Sequence, residues 1–161
     1  MNLKNTFKNV IAAIAAFALI FGFVAPASAH ETDCPYCKLP VVQDTKDLDN
    51  EVVLRLGNKR IEFRCVMCAV AQAKTKYKSR DITILAPSNV KGKPVTITKK
   101  GDEWSMTPTT AVFVFAKGSH SECQDRYRAL LEKNDFNAYV AKKGYKDAQQ
   151  LSLKELVELS K

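Results

Sequence analysis

The pattern of apolar and polar positions divides the chain into an apolar leader and a longer part built from short elements. From Val10 to Val24 the residues are almost without interruption Ala, Ile, Leu, Phe and Val. After this run the pattern changes to short period-2 segments, which are typical of β-strands, with a few segments at helical spacing. We therefore treat 30–161 as the part of the chain that folds.

Period-2 alternation and glycine-containing turns predict two hairpins and two further strands. The hairpin turns are Gly57-Asn58-Lys59 and Lys100-Gly101-Asp102. The predicted strands are 51–56, 60–64, 81–85, 94–99, 103–106 and 111–116. The last of these is the most apolar, and we expect it to be a central strand.

Helical spacing and capping signals predict the helices. One helix follows Cys68 through 69–74, and one begins near Ser121, with Cys123, Tyr127, Leu130 and Leu131 at helical spacing. A third covers 136–143 and ends at Gly144, and a capping box at Ser152 and Glu155 opens a C-terminal helix. Together the elements predict an α+β fold. We expect one small domain of two hairpin-plus-helix halves around a mixed or antiparallel sheet, with C-terminal helices.

The leader has the features of a cleavable signal peptide. Lys4 and Lys8 precede the apolar run, and Ala27-Ser28-Ala29 gives the small-x-small pattern of a cleavage site. The run is shorter than the roughly 20 residues of a transmembrane helix. We therefore expect 1–29 to be removed, leaving a periplasmic or secreted domain at 30–161 with no membrane span.

Charge and motif content disfavour several functions. The net charge is +8, but the basic residues are scattered and are not interleaved with aromatic side chains, so we expect no nucleic-acid partner. The sequence has no H-E-x-x-H motif and only two histidines, which argues against a catalytic zinc of the usual type. We expect a protein that is not an enzyme.

Two Cys-x-x-Cys pairs carry the strongest chemical signal. Cys34 and Cys37 bracket a turn that contains Pro35, whereas Cys65 and Cys68 stand where a predicted strand meets a predicted helix. Two such turns brought together present four thiolates to one ion, and soft thiolates suit copper or zinc. The helix dipole at the second pair favours the thiolate form that ligation requires.

Other interpretations of the cysteines remain open. An oxidising compartment favours disulfides, although five cysteines leave one thiol over. A structural zinc bound by the cysteines would instead stabilise the fold of a structural or interaction domain. A lone C-x-x-C is also a redox motif, so a thiol–disulfide oxidoreductase is the enzymatic alternative.

A second candidate pair is His120 and Cys123. On a helix, positions i and i+3 share a face, so both side chains would reach one ion. The alternative is a cysteine packed in the core beside a surface histidine. Met67 and Met106 are further candidates, as thioether ligands of cuprous copper or as core filler.

The cysteine pairs and their surroundings resemble the NosL-type accessory proteins of nitrous oxide reductase and the related TRASH-type cysteine modules. The likeness has two parts. The first is the Cys34–Cys37 pair followed by Val41-Val42 and later by 61–65, the segment that ends at Cys65. The second is the order of the C-terminal segments, which are a strand at 111–114, a helix and glycine at 136–144, and a closing segment at 151–156. The resemblance implies an extracytoplasmic copper-binding protein with a client metalloprotein. This chain has Lys38-Leu39 where that family has Gly-Met, and Glu31-Thr32-Asp33 is not a lipobox.

Overall fold

A computed structural model describes residues 31–42, 51–117 and 125–160 of the chain. These residues form ten β-strands and three α-helices, which confirms the predicted α+β class. The strands are β1 (Glu31–Asp33), β2 (Pro40–Val42), β3 (Val52–Leu56), β4 (Lys59–Phe63), β5 (Ile82–Ala86), β6 (Val95–Lys100), β7 (Glu103–Thr107), β8 (Val112–Lys117), β9 (Asp125–Leu130) and β10 (Gln149–Leu151). The helices are α1 (Val66–Lys74), α2 (Asp135–Lys143) and α3 (Leu153–Leu159). The predicted signal peptide lies outside the described residues.

The two predicted hairpins lie at opposite ends of one antiparallel sheet of strand order β4-β3-β5-β6-β7. Gly57 and Gly101 each adopt a φ of +58° in the turns, a conformation in which a side chain is strained. Leu54, Ile84 and Ile97 stand at paired positions on β3, β5 and β6, and all three are buried. The apolar positions of each strand therefore meet on one face and form the main core.

A second, three-stranded sheet has the order β10-β8-β9. The apolar strand β8 is central, as its sequence predicts. Phe113 packs into the main core, while Val112 and Val114 pack with Leu130 in a smaller cluster that contacts α2 residues. Both faces of this sheet are thus covered.

The helix predicted to begin near Ser121 is wrong over the part of it that the structure describes. Residues 125–130 form β9, which pairs with β8 in the register Val112↔Leu130 and Phe115↔Tyr127. Tyr127 faces the main core and contacts the Phe115 ring at a centroid distance of 5.2 Å, whereas Leu130 faces the smaller cluster. Within β9 polar and apolar residues alternate from Arg126 to Ala129, but Leu130 is buried as well. The spacing of Cys123, Tyr127 and Leu130 therefore also fits a helix.

Helix α1 is central to the arrangement and carries the second cysteine pair at its start. It packs on β3, β4, β5 and β9 and also against α3. Val66, Ala69, Val70 and Ala73 are each almost completely buried, and burying a valine side chain contributes about 1.5–3 kcal/mol. The position of the helix is therefore fixed on several sides at once.

The C-terminal elements follow their sequence signals. Gly144 ends α2 with a φ of +64°, and Ser152 and Glu155 form the predicted capping box of α3 through reciprocal hydrogen bonds. None of the helices in the described ranges is long and apolar enough to cross a membrane.

Candidate metal centre

The first cysteine pair lies in a tight turn between β1 and β2. These strands pair from Glu31↔Val42 to Asp33↔Pro40. The amide of Lys38 donates to the Cys34 carbonyl at 2.8 Å, and the amide of Cys34 donates to the Leu39 carbonyl at 2.9 Å. The turn buries Cys34 completely and leaves Cys37 half-buried.

The second cysteine pair begins α1. Cys65 is the N-cap residue, with extended backbone at φ −149° and ψ 165°, and its side chain makes no capping hydrogen bond. Cys68 lies in the first turn of the helix and is 2% exposed. No acidic residue is present in that turn. The positive end of the helix dipole is therefore not offset by a carboxylate there, and it favours thiolate over thiol.

The fold brings three of these four sulfurs into one cluster. The Sγ atoms of Cys34, Cys37 and Cys68 all lie within 4.8 Å of one another and could hold a metal ion. The Sγ of Cys65 is 3.4 Å from that of Cys68. The group of sulfurs that could hold one ion consists of Cys34, Cys37 and Cys68, and Cys65 adjoins it through Cys68. None of these four cysteines forms a disulfide in this structure.

Arg64 joins the two cysteine pairs. Its guanidinium Nη1 donates to the carbonyl of Pro40 in β2 at 3.5 Å, and its backbone also hydrogen-bonds the Cys34 thiol. A residue immediately before the second pair thus holds the first pair in place. The sequence does not indicate this role, because a backbone contact leaves no signal in residue type.

Hydrogen bonds lower the pKa of the Cys34 thiol from 9.0 to about 5. The largest cause is the hydrogen bond with the Cys68 side chain; burial acts in the opposite direction, and backbone hydrogen bonds of Arg64, Cys37 and Tyr36 lower the pKa further. Cys34 is therefore a thiolate at neutral pH, which is the form that binds a metal.

The remaining candidates differ in what the structure says of them. His120 and Cys123 lie in the 118–124 connection between β8 and β9, outside the described residues, and the following segment is a strand. Their placement on one helical face therefore stays a prediction. The Met67 Sδ accepts a hydrogen bond from the Ser160 hydroxyl at 2.8 Å, and Met106 packs against the main core. Both methionines therefore contribute to packing.

Comparison with known proteins adds a likeness of fold. No family model and no curated protein matches the chain. A solved crystal structure of the mercury-bound form of MerB2 is similar, with a TM-score of 0.54 and 12% sequence identity over 66% of this chain. The chain spans about half, 54%, of the length of that MerB2 chain. At this identity, the likeness shows the fold alone.

Proposed function

We propose that the protein binds a soft metal ion at its cysteine cluster and sequesters or delivers copper outside the cytoplasm. The observation that carries the proposal is the convergence of Cys34, Cys37 and Cys68 from two separate segments of the chain. Thiolates of this kind prefer cuprous copper, zinc or iron–sulfur clusters to hard cations.

The surroundings of the cluster support exchangeable binding. Cys34 and Cys68 are buried, while Cys37 is half-buried next to Tyr36, which is 42% exposed. An ion held there would be shielded on one side and reachable on the other, as delivery to a client metalloprotein requires. The mercury in the MerB2 structure is also a soft, thiophilic metal.

The choice of copper and of an extracytoplasmic location rests on the resemblance to NosL-type proteins and on the leader sequence. Zinc is the alternative ion for the same ligands. Oxidation of the thiols to disulfides would give a stapled domain without metal instead. These alternatives differ in metal content and in the number of reactive thiols.

The test is to measure metal content and reactive thiols together. Mature protein reconstituted anaerobically with cuprous copper or zinc should retain one tightly held ion, which protects the cluster thiols from alkylation until a chelator removes it. The C34S/C68S variant should lose this ion, because both its buried ligands are gone.

C123S tests whether the fifth cysteine, which lies outside the described residues, contributes to the same ion; the proposal predicts that this variant keeps the ion. A combined H120A/C123S variant measures whether the second predicted pair adds a further site. Circular dichroism establishes that each variant is folded. Metal-free protein from the cell with two disulfides, and no metal uptake after reduction, would contradict the proposed function.

A further inference from the structure

The four cysteine sulfurs are not placed equivalently. Around a single ion with metal–sulfur bonds of about 2.3 Å, a tetrahedral site needs all six sulfur–sulfur distances near 3.8 Å, and a planar three-sulfur site needs three distances near 4 Å. The sulfurs of Cys34, Cys37 and Cys68 all lie within 4.8 Å of one another. Cys65 is not a member of this group, although its Sγ is 3.4 Å from that of Cys68. The arrangement is therefore closer to three sulfurs around an ion than to four.

From this geometry we infer that the cluster is a three-sulfur site for a cuprous ion. Cys34, Cys37 and Cys68 are its ligands, and Cys65 is a positioning residue. The inference rests on the proposed function and names the coordination number and oxidation state that suit it. Zinc in structural sites takes four ligands, whereas cuprous ion has no such requirement and is selected by soft sulfur.

Cys65 has its own part in this arrangement. Its thiol donates a hydrogen bond to the Cys68 Sγ at 3.4 Å. Cys65 is the N-cap residue and has extended backbone, whereas Cys68 lies within the first turn of the helix. A hydrogen bond to a ligating atom orients it and adjusts its donor strength, as outer-shell partners of metal ligands do.

The exposed side of the site would allow the copper ion to pass to a client protein without a change in its oxidation state. Cys37 is the ligand nearest to solvent, because Cys34 is 0% exposed and Cys68 is 2% exposed. A thiolate from a client would bond to the ion as the bond from Cys37 breaks, and the released Cys37 sulfur would take a proton from solvent. Copper stays cuprous throughout, so no oxidant or reductant is needed.

The experiment is X-ray absorption spectroscopy of the full mature chain loaded anaerobically with cuprous ion. We expect three sulfur neighbours around copper in the unaltered protein and again in C65S and C65A. C34S, C37S and C68S should each show fewer sulfurs. Because the unaltered protein reports the coordination number directly, the result does not depend on whether a variant folds.

Affinity measurements with a competing cuprous chelator test the role of Cys65. C65A should bind copper about 10–100-fold more weakly, as expected for loss of an outer-shell partner. C65S keeps a hydroxyl donor and should recover part of this loss, whereas C37S should lose more than C65A. Four sulfurs in the unaltered protein that become three in C65S, or two sulfurs in a linear site, would overturn the inference. Failure to bind copper or zinc at all would instead overturn the proposed function.

Discussion

At the residue scale, hydrogen bonds outweigh burial in setting the acidity of Cys34. The side chain is fully buried, which by itself raises a thiol pKa. The hydrogen bond with Cys68 and the nearby backbone hydrogen bonds bring the pKa of Cys34 to about 5 instead. The thiolate contribution to stability is therefore complete above pH 9, the ordinary value, and is lost as the pH falls through 5.

A titration of the metal-free, reduced protein checks this effect. The difference in ultraviolet thiolate absorbance between the unaltered protein and C34S should show a step near pH 5. C68A removes the largest cause of the lowered pKa, so the step should move upward towards 9. K154M, a change at an exposed residue, is the control and should leave the step in place. An unchanged step in C68A would show that the Cys68 thiol does not set the Cys34 pKa.

The candidate cysteine ligands were visible in the sequence, but their unequal placement was not. Spacing alone singles out both pairs, whereas the distinction between Cys65 and the other three depends on where α1 begins. Lys38 illustrates a second limit. Its φ of +63° is a left-handed conformation that costs a non-glycine residue about 1–2 kcal/mol. Glycine adopts this conformation without that cost, so the turn keeps its shape although the position carries a lysine.

At the scale of elements, α1 is held in place by the C-terminal helix. The Lys74 ammonium donates to the carbonyls of Val157 and Ser160, at the end of α3. A cation there satisfies the last carbonyls of α3 and complements its dipole. The Ser160 hydroxyl adds a contact to Met67. The helix that positions Cys68 is thus supported by residues far along the chain.

Replacing Lys74 tests this support. K74M approximately keeps the length of the side chain but removes the charged donor. We therefore expect the free energy of unfolding, measured in urea, to fall by about 1.5–3 kcal/mol. K154M is the matched control. Lys154 is 84% exposed and its ion pair with Glu158 spans 3.9 Å, so the expected loss is below about 0.5 kcal/mol. Equal losses in the two variants would contradict a specific role for Lys74.

The strands and helices were largely predictable where one face is buried and the other is solvated. Both hairpins, α2 and the capping box of α3 follow from local signals. The β9 strand did not, because Cys123, Tyr127, Leu130 and Leu131 also fit helical spacing, and the alternation of Arg126-Tyr127-Arg128-Ala129 is too short to decide between strand and helix. The short β1 and β2 strands were also not predicted. Each has only three residues, which is too few to show the alternation of apolar and polar residues that marks a strand. They become strands by pairing with each other around the Cys34–Cys37 turn.

At the scale of the whole molecule, the main core includes the buried cysteines but extends well beyond them. Phe63, Leu54, Ile84 and Ile97 are all completely or almost completely buried, and they belong to β3–β6. A core of this kind keeps a domain folded without staples. The β1–turn–β2 hairpin is different, since Arg64 and the buried side chains of Cys34 and Val41 tie it to the rest. We therefore expect metal to stabilise this hairpin rather than the whole fold.

Hydrogen exchange followed by mass spectrometry distinguishes these outcomes. Binding adds RT ln(1 + [L]/Kd), which is about 2.7 kcal/mol when free metal is a hundredfold above Kd. Removing the ion should therefore speed exchange of the Cys34 and Lys38 amides, which are hydrogen-bonded within the turn, by up to about 100-fold through local opening. Peptides from β5 and β6 should exchange as slowly as before, and the far-ultraviolet circular dichroism should hardly change. Collapse of protection across the entire sheet on metal removal would mean that ligand binding and folding are one event, as in metal-dependent domains.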